Sequence, residues 1–123
     1  MSVIVYKSEI ICQLEKQIND GKRLLIFDCQ DVSLFLLFCE GIEKRNLSNI
    51  EMWHSLEVLT EHGFSRRITA KQMDEVLEIY RLYDFSDKVA VISEGVQYGS
   101  LFSYVRNGIL TAEEMVDAIL YKI

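Results

Sequence analysis

Two short stretches constrain this chain more than anything else in it: "RLLIFD", residues 23–28, and "KVAVIS", residues 88–93. In each, apolar side chains follow one another without the polar alternation of a strand that has one wet face. Such runs belong to strands buried on both sides, as in parallel sheets with helices on both faces. The segments between them carry apolar residues at helical spacing, so the chain reads as α/β. It contains no proline, and punctuation falls to glycines and capping residues.

Ser8 to Asn19 places Ile10, Ile11, Leu14 and Ile18 on one helical face, and Gly21 stands where a left-handed residue ends a helix. Residues 31–45 give a second helix with a broad apolar face that includes Val32, Leu34, Phe35, Phe38 and Ile42. Ser48-x-x-Glu51, Thr69-x-x-Gln72 and Thr111-x-x-Glu114 each carry the capping-box signature, a hydroxyl with Glu or Gln three residues on. They predict helices running through Trp53 to Gly63, through Met73 to Tyr80, and from Ala112 onward. A short helix over about 100–107, closed by Gly108, completes the set, and "SVIVY", residues 2–6, is a third strand or a lead-in. The expected domain spans 1–123: a small, mostly parallel sheet of two or three strands covered by about six helices.

A weak internal repeat supports this. Residues of about 8–63 and 69–123 share the order helix–strand–helix–helix. Ser33-Leu34-Phe35 answers Ser100-Leu101-Phe102, and Leu47–Met52 answers Leu110–Met115 with both capping boxes in register. The repeat predicts a pseudo-two-fold domain whose two buried strands pair in parallel through right-handed crossovers. The corners that follow those strands then lie at one edge of the sheet, where open α/β sheets bind ligands.

Composition narrows the function. At 123 residues, half of them apolar and 26% charged, the chain is one globular domain. A net charge of −6 argues against nucleic-acid binding by phosphate neutralisation. Cys12, Cys29 and Cys39 are an odd number with no metal-binding spacing, as expected of reduced thiols in the cytoplasm. The first residues lack a basic leader region and "VSLFLLFC" is only eight residues long, so neither a signal peptide nor a membrane contact is expected.

Candidate sites gather at the first corner. Asp28, Asp31 and Glu94 together suit a hard divalent cation such as Mg²⁺; the local alternative is that Asp31 or Asp28 caps the following helix. Cys29 sits near a helix start, which favours thiolate, between carboxylates that oppose it, and no phosphate-binding arginine follows. It reads as a small filler. Glu51-x-x-His54 has the spacing of carboxylate-bridged metal bundles, but the second half offers only Glu114-x-x-Asp117. "GVQYGS", residues 95–100, is glycine-bearing without matching a phosphate-loop pattern, and Arg66, Arg67 and Lys71 read as a solvated basic turn. "YRLYDF" sets Tyr80, Tyr83 and Phe85 around Arg81, more aromatic surface than one helix face buries and a composition typical of interfaces.

No catalytic set and no cofactor motif emerges. The leading expectation is a non-catalytic interaction or regulatory module that self-associates, most simply as a homodimer, and meets a protein partner through residues 80–85. The alternatives are a small-ligand or divalent-metal domain using the strand-edge acids, and an acidic inhibitor of a nucleic-acid-handling protein. Whether the two buried strands lie adjacent and parallel separates the first from the second.

Overall fold

The structure, a computed structural model, describes residues 8–47, 49–59, 62–83, 88–93 and 102–120, without the side chains of residues 82, 83 and 120. After α1 (Glu9–Asn19), β1 (Arg23–Asp28) enters the middle of a four-stranded parallel sheet. Then come α2 (Val32–Lys44), β2 (Ile50–His54), β3 (Ser65–Arg67) and α3 (Ala70–Tyr83). β4 (Val89–Ser93), α4 (102–106) and α5 (Ala112–Leu120) complete the described elements. The strand order is β3-β2-β1-β4.

β1 is central because nothing in its middle needs water. Leu24 and Ile26 point into one core with Ile10, Leu14, Trp53 and Val76, under α1 and α3. Leu25 and Phe27 point into the other with Phe35, Phe38, Met115 and Val116, under α2, α4 and α5. Strand order reverses between β1 and β4. From β1 the chain crosses to β2 through α2, and from β3 it crosses back to β4 through α3. Crossovers of one hand that travel in opposite directions must use opposite faces, and these two helices do. The expected adjacency holds: β1 pairs in parallel with β4 from Leu24↔Val89 to Asp28↔Ser93.

Local signals behave as chemistry requires. Thr69 Oγ1 accepts from Gln72 N–H at 3.0 Å while Gln72 Oε1 accepts from Thr69 N–H at 2.9 Å. Thr111 and Glu114 close the same box at 3.1 and 3.0 Å. Gly21 (φ +77°) ends α1 with its own N–H on Ile18 C=O and the next N–H on Gln17 C=O. Gly108 (φ +73°) repeats that pattern after α4.

The third box does not predict its element. Residues 50–54, expected in a helix running to Gly63, are β2, so the described residues hold five helices and four strands. Ile50 and Met52 fill the α2-side core while Trp53 fills the opposite one. A helix presents one apolar stripe to one core; a strand between two cores satisfies both. The repeat breaks here too. Both halves run helix–strand–helix, but the first then enters β2 where the second enters α5. "SVIVY" lies outside the described residues, and no described helix is long and apolar enough to cross a membrane.

Candidate functional site

The carboxyl ends of the strands form one edge of the sheet, and the residues that carry chemistry collect along it. Arg67 of β3 stands in register with His54 of β2, His54 with Phe27 of β1, and Asp28 with Ser93 of β4. Strand order reverses between β1 and β4, and α2 and α4, the helices that follow these two strands, lie on the same face of the sheet.

Asp28 and Asp31 do not act together. Asp28 follows Phe27 on the pleat and so turns to the α1/α3 side, where Asp74 of α3 faces it. Burial first, and the Asp74 charge second, raise its carboxyl above the ordinary 3.8. Among the described residues its carboxylate has no hydrogen-bond or ion-pair partner. Asp31 belongs to the other side. It is the N-cap of α2, accepting Leu34 N–H at 3.1 Å, and its second oxygen pairs with the Arg106 guanidinium of α4. Glu94 lies outside the described residues. Among those described, no group of three or more His, Cys, Asp or Glu is placed to hold a metal ion.

The thiols are divided. Cys29 and Cys39 are buried and Cys12 is exposed; burial, with Glu43 nearby, pushes Cys39 up to about 12, which leaves it protonated at neutral pH. Glu51 and His54 are three apart on a strand, not a helix, and therefore point to opposite faces. The basic turn is also redistributed. Arg66 lies over the Trp53 ring, 5.7 Å from its centroid, and Arg67 pairs with Glu57 at 3.1 Å. Of the aromatic segment, Tyr80 packs half-buried against the α1/α3-side core and Arg81 is exposed. The Tyr83 side chain and Phe85 lie outside the described residues, as does "GVQYGS".

Sequence reasoning missed the histidine pair beside α2. His54, 2% exposed, accepts Leu56 N–H on Nδ1 at 3.2 Å, so the proton of its neutral ring is on Nε2. Its ring lies against Phe35, 4.4 Å between centroids. His62 stacks on Phe64 at 5.5 Å and bonds Glu43 Oε1 through Nδ1 at 2.5 Å. Its Nε2 is buried without a hydrogen-bond partner among the described residues. The sequence pattern puts both on one helix, whereas His54 ends β2 and His62 precedes β3.

Burial, with Arg67 adding to it, lowers the pKa of His54 below the ordinary 6.5. The unfolded chain therefore binds more protons than the native one as pH falls through that value, and stability must fall with it. Urea midpoints measured from pH 7.5 down to about 5.5 should decrease, and the slope should flatten in His54→Gln. Equal slopes for the two proteins would show that His54 does not titrate unfavourably.

Against known proteins, no family model matches the chain, and neither does any curated protein or solved structure.

Proposed function

We propose that this domain binds a small polar ligand at the carboxyl edge of its sheet, between the ends of β1 and β4, and that Asp28 recognises it. The observation that carries the reading is Asp28 itself. It is a half-buried carboxylate with a raised pKa and no partner among the described residues, at the point where strand order reverses. A perturbed, uncommitted titratable group in a crevice is the usual mark of a recognition site. That the two buried strands are adjacent and parallel favours this reading over an interaction module with no ligand crevice.

The chemistry of the edge selects the ligand class. Asp28 and Asp74 repel an anion, and the N-terminus of α2 is already occupied by the Asp31 carboxylate. What suits Asp28 is a hydrogen-bond donor or cation: an amine, an amidine or a hydroxyl-bearing molecule. Asp31 and Arg106 neutralise each other on the other side of the sheet and leave recognition to Asp28.

A fragment screen by amide chemical-shift perturbation tests this, with amines and guanidines in one arm and Mg²⁺ alone in another. The expected result is binding by a cationic fragment, with shifts concentrated at residues 28–31 and 93. Asp28→Asn should weaken it by about tenfold or more, the effect of losing one charge-assisted hydrogen bond. Shifts that survive Asp28→Asn, or a screen in which nothing perturbs this edge, would reject the assignment.

A further inference from the structure

The described sheet has two outer strands, and they are built in opposite ways. β3 is three residues long and carries Arg66 and Arg67, the short charged form by which edge strands discourage pairing. β4 is five residues, Val-Ala-Val-Ile-Ser, without charge, proline or bulge. Its Val89, Ala90 and Ile92 are as deeply buried as a central strand, at 1%, 4% and 0% exposure. Yet among the described residues no strand lies on its outer side.

The ladder fixes which backbone groups face outward. Across the β1–β4 pair, Leu24 N–H donates to Lys88 C=O at 2.9 Å. In a parallel ladder alternate residues turn both backbone groups to the same neighbour, so Lys88, Ala90 and Ile92 serve β1. Val89, Val91 and Ser93 turn their N–H and C=O away from it.

We propose that β4 pairs antiparallel with β4 of a second copy of this chain, about a two-fold axis through Val91, joining the two sheets into one. In that register Val91 meets Val91, Val89 meets Ser93 and Ala90 meets Ile92. The outward residues all fall on the hydrogen-bonded positions, so every outward N–H and C=O finds a partner. No like charges oppose one another, whereas pairing β3 with itself would set arginine against arginine. α4, whose Phe102 shares a core cluster with Ala90 and Ile92, leaves apolar surface on the same face of the sheet. Tyr104 is 47% exposed and Ile109 just beyond it is 65% exposed. A two-fold contact of this kind closes on itself and leaves only the short, charged β3 strands at the outer edges. It uses the side of β4 away from β1 and stands independently of the ligand reading.

Sedimentation equilibrium and backbone amide exchange, each at two protein concentrations, test the pairing on the full chain. The expected result is a dimer in which the Val89, Val91 and Ser93 amides gain protection as concentration rises. Val91→Pro removes an outward N–H without touching the β1 ladder, and should give a folded monomer by circular dichroism. Should that variant misfold, Ser93→Lys places a charge on the edge instead and should likewise give a monomer. A monomer whose three amides exchange freely, or one that protects them at every concentration, overturns the proposal. So does a dimer that survives both substitutions.

Discussion

Replacing Trp53 by alanine should cost about 3–5 kcal/mol of folding stability, the range for truncating a large buried aromatic side chain. Trp53 is fully buried on β2 and belongs to the core beneath α1 and α3. It joins three other elements: Leu24 and Ile26 of β1, Met73 and Val76 of α3, and Ile10 and Leu14 of α1 share its cluster. Arg66 covers it from β3 at 5.7 Å, so the truncation also leaves that guanidinium without its platform. Trp53→Phe separates volume from polarity. The indole Nε1 is buried without a hydrogen-bond partner among the described residues, so phenylalanine gives up no hydrogen bond there. Its cost should be on the order of 1 kcal/mol, that of an apolar swap which leaves a small void. Chemical denaturation followed by far-ultraviolet circular dichroism reads both, since either change removes the single tryptophan of the chain. An alanine variant within about 1 kcal/mol of the parent would show that β2 does not anchor this core.

What the sequence disclosed follows from how local each determinant is. "RLLIFD" and "KVAVIS" were legible because burial on both faces removes polar residues from a strand whatever its partners are. The Thr69 and Thr111 boxes and the Gly21 stop were legible because donor and acceptor lie within a few residues of each other. β2 was misread because Ser48 and Glu51 imitate a helix start, while what makes 50–54 a strand is its pairing with β1, residue by residue from Arg23↔Ile50 to Phe27↔His54. β3 has almost no signal of its own. "SRR" is a strand only because it pairs with β2 beyond a loop with no regular structure over its described residues.

The site shows the same division. The capping role of Asp31 is readable from its position before an apolar helix. That Asp28 and Asp31 face different layers follows from the pleat of β1 and the turn after it, which three intervening bonds in a linear sequence conceal. Arg106, the ion-pair partner of Asp31, is 75 residues away and carries no pattern that would select it among the basic residues. That His54 and His62 both meet Phe35 is not legible, because the capping-box pattern places the two on one helix while the structure puts His54 on β2 and His62 ahead of β3.

Gly41→Ala should destabilise the protein by about 1–3 kcal/mol, although alanine is the better helix former by roughly 1 kcal/mol. On an exposed helix the change would help. Gly41, however, is buried in α2 where α5 crosses it. A Cβ there would lie 2.5 Å from Val116 Cγ2 and 2.7 Å from the backbone oxygen of Ala112. A side chain can turn aside, but the Ala112 carbonyl sits at the start of α5 and moves only if that helix moves. Moving it disturbs the fully buried Met115, Val116 and Ile119. It also disturbs the two-pronged pair between Arg45 and Asp117, at 3.1 and 2.5 Å. The double variant Gly41→Ala/Val116→Ala should therefore not recover the loss, because the carbonyl contact remains and a cavity is added. Gly63→Ala is the control: nothing lies within 4 Å of its Cβ position, and its stability should stay within about 0.5 kcal/mol of the parent. Denaturant midpoints for the four proteins decide the matter. A Gly41→Ala protein as stable as Gly63→Ala would mean that α2 and α5 yield without cost, and the close approach of their backbones would not be what holds α5 on the sheet.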